Sequence, residues 1–263
     1  MKNLLRELPV RVRLLIALSI LASTLLLVIS GLASKKTGAV DLEVYPHILR
    51  KVRETNGSMT LRPAAVAFVD EQSKRKTMGT GTIVLDARGS VKGIITSEHL
   101  FPTSITRGRG FYKPLQQRAA VWIPIERVDD FRVFGSLSID VVWCTPGESA
   151  LIHGICNRSF IQNKKTTFWP NTEGNVLRSV VSGENIPILG EVRESSGVRS
   201  SLLLYDSRGG DSGLGAFADG GKIFVISCSV KATSALREVL PIPASFKNVS
   251  LAYEVKLPPA LRN

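Results

Sequence analysis

Residues 209–215 read GGDSGLG, set between two apolar runs, SSLLLY (200–205) and KIFVISCSV (222–230). The flanking runs carry Val, Ile, Leu, Phe and Tyr, types that fit a pleated surface, and they are too short for helices. The Gly-rich stretch between them has two readings. Gly, Asp and Ser commonly build surface turns with no chemistry; the same residues can also hold Ser212 as a nucleophile in a tight bend. Similar apolar runs recur along the chain: AAVAFVDE (64–71), GTGTIVL (79–85), AAVWIPI (119–125), SIDVVWC (138–144) and VLRSVV (176–181). Each is bounded by Gly, Asp or Ser, which predicts many short strands packed as a sandwich or barrel rather than alternating strand–helix units. No internal repeat stands out.

The chain has 263 residues, enough for one large core or for two small barrels. Its formal charge is +12. Lys2, Arg6, Arg11, Arg13, Lys35 and Lys36 against Glu7 place +5 of this in the first 36 residues. The remainder is dispersed, and no basic and aromatic stripe points to nucleic acid. Residues 14–33, LLIALSILASTLLLVISGLA, carry no charge. As a helix they extend about 30 Å, enough to cross a bilayer. Cations precede and follow this run, so a basic segment at 1–13 is expected in the cytoplasm and the body of the protein outside it. A cleaved signal peptide, with Gly31 and Ala33 before the cut and a secreted or periplasmic product, is the alternative to a retained single-pass anchor.

Residues 34–60 are expected as a linker. Pro46 interrupts it and would start any helix there, and His47 reads as a surface residue. Residues 61–263 form the expected main domain, dividing in two near 146–170. Cys144, Cys156 and Cys228 are an odd number, so at least one thiol stays unpaired; Cys144 with Cys156 is the nearest pair. No Cys or His spacing suggests zinc, and no cofactor or metal is expected.

Two further segments carry chemistry. GIITSEHL (93–100) puts His99 just beyond an apolar strand, and SIDVVW (138–143) puts Asp140 at the start of another. A carboxylate beside Val141, Val142 and Trp143 is costly to bury unless something donates to it, and an imidazole N–H is a suitable donor. In chain order, GIITSEHL, SIDVVW and GGDSG resemble the signature segments of the chymotrypsin-like (trypsin-like) serine peptidases, over residues 64 to 255. The resemblance implies an all-β fold of two antiparallel β-barrels with the site in the cleft between them. By position it implies Ser212 as nucleophile, His99 as general base and acid, and Asp140 as orienting carboxylate. The backbone N–H groups of Gly210 and Ser212 would form the oxyanion hole, and Asp211 would help hold that loop in shape. Asp206, six residues before Ser212, would lie at the base of the side-chain pocket and favour Lys or Arg at the cut; a plain turn-forming Asp is the other reading.

Departures from the family are visible. Leu214 replaces a second glycine after GDSG, Ser97 and Glu98 replace small residues before the histidine, and the paired cysteines are missing. Asp129 and Asp130 are rivals to Asp140. A subsistence of Asp140, His153 and Ser212 in subtilisin order is disfavoured by the β-rich pattern. The expected function is an exported serine endopeptidase acting on protein or peptide substrates and tethered through residues 14–33. A catalytically silent protease-like binding module, or an exported β-barrel binding protein, remains the alternative.

Overall fold

The computed structural model describes residues 42–52, 60–70, 73–100, 106–117, 120–127, 140–147, 151–152, 166–194, 199–218 and 222–255. The apolar segment 14–33, the rivals Asp129 and Asp130, His153 and Cys156 lie outside the described residues. Among the described residues no helix is long and apolar enough to cross a membrane. The chain separates into Met1–Glu43 and Val44–Asn263, and the account below concerns the second unit.

The first barrel is built from β1 (Leu61–Asp70), β2 (Lys76–Leu85), β3 (Val91–Thr96), β4 (Thr106–Pro114), β5 (Ile123–Arg127) and β6 (Val142–Pro146). Its strands run in the order β1-β2-β3-β6-β5-β4, and β1 closes the ring on β4. A short strand, β7 (Leu151–Ile152), adds to β4. After β8 (Thr166–Pro170), the second barrel comprises β9 (Val176–Ser179), β10 (Asn185–Glu194), β11 (Arg199–Leu203), β12 (Gly215–Phe217), β13 (Ile223–Lys231) and β14 (Asn248–Val255). Its order is β9-β10-β11-β14-β13-β12, with β12 closing on β9 and β8 added to β10. Counted within each barrel, the two orders are identical, and the fourth strand returns beside the first as in a Greek key. Every pairing is antiparallel. Two closed six-stranded antiparallel barrels of this order fit the chymotrypsin-like fold. Closure leaves few free strand edges.

The period of two along a strand decides which side chains fill a barrel and which join the barrels. On β3, Ile94 packs inside the first barrel while Ile95 faces the seam with the second. Near β6 the same alternation sends Val142 and Cys144 inward and Val141 and Trp143 to the seam. There they meet Val180, Leu202, Val225 and Tyr253 of the second barrel in one continuous apolar cluster. Trp143 lies flat over Gly93, where any Cβ would collide with its ring. On β1, Ala64, Val66 and Phe68 enter the first core, and Ala65 faces the opposite way.

Ala65 receives a short helix, α1 (Pro46–Lys51), through Ile48, which is 1% exposed, and Val44. Pro46 begins the helix, where its missing N–H costs nothing. Residues 44–52, expected as linker, are therefore a packed part of the body. A second short helix, α2 (Ser234–Val239), is capped by the Thr233 hydroxyl, which accepts from the Leu236 N–H.

Because Ile95 belongs to the seam, Ile95→Ala should lower stability by about 2–5 kcal/mol. Urea unfolding followed by Trp fluorescence should move to a lower midpoint, still as a single transition.

Candidate active site

His99 sits in a 3-10 turn, Glu98–Leu100, directly after β3. Strand β6 begins at Val142, so Asp140 stands just before it, beside β3, its partner strand. The turn brings the two residues together. Asp140 Oδ2 is 2.5 Å from His99 Nδ1, and Oδ1 accepts the His99 backbone N–H at 2.7 Å. Oδ2 also accepts the Ser227 hydroxyl at 2.6 Å. With Asp140 accepting on both oxygens, Nδ1–H is the natural donor of the imidazole, which leaves Nε2 as the acceptor. Ser227 lies on β13, so the carboxylate takes hydrogen bonds from both barrels.

Ser97, which departs from the family pattern, is fully buried and donates across the seam to the Ile226 carbonyl at 3.2 Å. Its hydroxyl thus ties the histidine turn to β13.

Ser212 is fixed from the first barrel. Its carbonyl accepts the Thr80 N–H at 2.8 Å and the Thr80 hydroxyl at 3.2 Å, and that hydroxyl also reaches the Asp211 carbonyl at 3.1 Å. On the other side Gly213 N–H donates to the Ile226 carbonyl at 2.8 Å. Gly213 has φ of 90°, and a Cβ there would collide with the Thr80 carbonyl oxygen. Gly210 has φ of 96°, equally a glycine conformation. The N–H groups of Gly210 and Ser212 have no hydrogen-bond acceptor among the described residues. Nor does any hydrogen bond there join Ser212 to His99. The two are linked through Ser227, which donates to Asp140 and lines the same cavity as Ser212.

That cavity holds about 200 Å³ and is lined by Ser207, Arg208, Gly209, Ile226, Cys228 and Ser229 besides the two serines just named. Asp206 is not in this lining. It is exposed, and its carboxylate accepts from the Asn248 side-chain amide at 3.2 Å.

Asp211, the neighbour of Ser212, is 0% exposed. Its Oδ2 accepts the Lys51 ammonium at 3.0 Å, the Arg208 N–H at 2.9 Å and the Tyr205 hydroxyl at 3.2 Å. Its Oδ1 lies 3.5 Å from His47 Nε2. Burial, reinforced by the Asp211 charge, pushes the Tyr205 phenol far up, so it stays a donor. His47 was expected at the surface, but its side chain is only 18% exposed and faces Asp211. The spacing of His47 and Lys51, one helical turn apart after Pro46, was the available sign that they share a face. Ser227 had no sign beyond being a hydroxyl residue in an apolar strand.

Among the described residues no group of three or more His, Cys, Asp or Glu could hold a metal ion. Cys144 is buried in the first barrel's core, whereas Cys228 is a free, half-buried thiol in the cavity wall. Burial pushes the Cys228 thiol up, and the nearby Asp140 charge adds to this, against a smaller lowering by Ser227. Its thiolate is therefore scarce near pH 7. Iodoacetamide should modify Cys228 slowly there and faster only as pH rises past about 9, the ordinary range for thiols. Mass spectrometry of the modified peptide measures this.

No protein-family model matches the chain, and no curated protein matches it. Among solved structures it is similar to the Rv3671c protease of M. tuberculosis in its active form. That similarity has 10% identity, 81% of this chain and 83% of the other covered, and a TM-score of 0.40. The inactive form of the same protein, with its serine changed to alanine, gives 12% identity, 72% and 80% coverage and a TM-score of 0.35.

Proposed function

We propose that the chain is a serine endopeptidase. The observation that carries this reading is the Asp140 carboxylate, which accepts from His99 and from Ser227, and Ser227 lines the same cavity as Ser212. In this reading Ser212 Oγ attacks the scissile carbonyl while His99 Nε2 takes its proton. Asp140 holds the Nδ1–H and so keeps Nε2 free to accept and favours the imidazolium that forms. The carbonyl oxygen becomes negative as the tetrahedral intermediate forms, and the Gly210 and Ser212 N–H groups donate to it. Each such donor contributes about 3–4 kcal/mol in comparable sites. His99 then returns the proton to the departing amine, leaving an acyl ester on Ser212. Water, deprotonated by His99, releases the acid and restores the hydroxyl.

Export and anchoring belong to the same proposal. Residues 14–33 tether the domain, and the flanking cations keep the N-terminus inside.

A fluorophosphonate probe separates this reading from a silent binding module, because only an activated serine is labelled. Wild-type protein should label, and Ser212→Ala and His99→Ala should not. Asp140→Asn should cut kcat by about 10⁴-fold by favouring the wrong tautomer. An unlabelled, folded wild-type protein would end the proposal.

The cavity lining bears on the residue before the cut. It offers hydroxyls, a thiol, the sec-butyl side chain of Ile226 and Arg208, but no carboxylate. A cationic substrate side chain would find no counter-charge there and would meet Arg208. We therefore read the pocket as selecting small or apolar neutral side chains, in place of the Lys or Arg preference expected from Asp206. A peptide-library profile should favour such residues, and Asp206→Ser should leave it unchanged. Strong cleavage after Arg that Asp206→Ser removes would restore the sequence-based expectation.

A further inference from the structure

A buried carboxylate next to the proposed nucleophile needs a counter-charge, and the source of that charge is unexpected. It comes from α1, far upstream in the chain. Asp211 and Lys51 are 160 residues apart. Ile48 and Val44 seat the apolar side of α1 on Ala65 of β1, which turns the other side, His47 and Lys51, toward Asp211.

The ammonium is held by two side chains. It donates to Asp211 Oδ2 at 3.0 Å and to the Tyr205 hydroxyl at 2.6 Å, and lies 4.8 Å from the centre of the Tyr205 ring. Asp211 in turn closes the loop that carries the two free N–H groups. Its carboxylate accepts the Arg208 N–H at 2.9 Å, and its own N–H donates to the Arg208 carbonyl at 2.9 Å. Gly210 is spanned by these bonds. The Tyr45 ring covers Gly210 from the same upstream segment, in the place a Cβ would occupy. The loop is thus held by its own carboxylate, and the carboxylate by Lys51.

We infer that Lys51 is a positioning residue for the oxyanion loop: its ammonium keeps the Asp211 carboxylate buried and thereby aims the Gly210 and Ser212 N–H groups. This rests on the serine-peptidase reading for its effect on turnover, though the loop itself can be followed without it. Losing the ammonium leaves the buried Asp211 carboxylate with the Tyr205 and Arg208 hydrogen bonds and the His47 ring but without its lysine, a strain relieved when Asp211 swings to solvent and the Arg208–Asp211 turn opens. The N–H groups then no longer converge. Arg208 and Gly209 also line the cavity, so substrate binding weakens as well, but the larger effect falls on stabilisation of the developing oxyanion.

Two measurements test this. In the otherwise unmodified chain, Lys51→Met should lower kcat for a peptide ester by about 10²-fold or more, the scale of a lost oxyanion donor. KM should rise by a smaller factor than kcat falls, since Arg208 and Gly209 also line the cavity. Lys51→Arg should recover most of the loss. Asp211→Asn removes the charge that needs a partner, so adding Lys51→Met to it should cost little more; this coupling is read even if Lys51→Met alone folds poorly. The second measurement uses the Ser212→Ala background, which has no activity of its own. Trypsin cleavage after Arg208, relative to the exposed turn at Arg88, should accelerate at least tenfold with Lys51→Met if the loop opens. Unchanged kcat together with unchanged cutting at Arg208 would overturn the inference, as would a loss confined to KM or additive behaviour with Asp211→Asn. If wild-type protein fails to label with fluorophosphonate, the peptidase reading falls, and the Arg208 cutting still decides whether Lys51 holds the loop.

Discussion

The Asp140 carboxylate is the point on which the two barrels agree. It accepts two hydrogen bonds from the histidine turn of the first barrel and one from Ser227 of the second. A carboxylate at the rim of an apolar seam is tolerated only when its lone pairs are used. The seam itself, with Ile95, Trp143 and Tyr253, brings the donors within reach. If β3 or β6 slipped in register by one residue, inward and outward side chains would exchange and the donors would separate. Apolar packing and the polar site therefore constrain each other.

A second set of ties reaches Ser212. Thr80 from β2 bonds its carbonyl, Gly213 takes Ile226 from β13, and Asp211 is held by α1. Three separated parts of the chain converge on three consecutive residues. Such convergence limits the freedom of a glycine-rich segment that would be mobile on its own, and it narrows what can stand there. Neither Gly79 nor Gly213 has room for a Cβ, since each lies against backbone of the facing segment.

How much of this could be read beforehand differs by kind of feature. The strands were legible because β-branched runs between Gly and Asp signals set them locally, as in KIFVISCSV and VLRSVV. The meeting of His99 with Asp140 was legible through family resemblance. The repetition of one strand order in both barrels was not, because topology follows from where apolar side chains alternate, and unlike residues satisfy that pattern equally well. In the upstream segment the helix start at Pro46 was legible, but its packing was not. A short run such as PHILRK has too little periodicity to distinguish linker from packed helix, and only Ala65 on the barrel wall reveals what Ile48 meets. Asp206 shows the limit of arguing from an offset. Its distance from Ser212 in the chain matched, but Asn248, on a strand far along the sequence, is what its carboxylate meets.

The division of the site between the barrels has a consequence for the order in which the molecule comes into being. Synthesis proceeds from the N-terminus, so α1, the histidine turn and Asp140 emerge well before the segment bearing Ser212. A nascent chain that has completed only its first barrel holds an imidazole with no hydroxyl to activate and a lysine with no carboxylate to clamp. In the proposed reading, the site therefore stays incomplete until the second barrel has been made. Among the described strands, β13 and β14, which supply Ser227 and complete the second ring, follow all the others in the chain. Assembly of the fold is then its own safety catch.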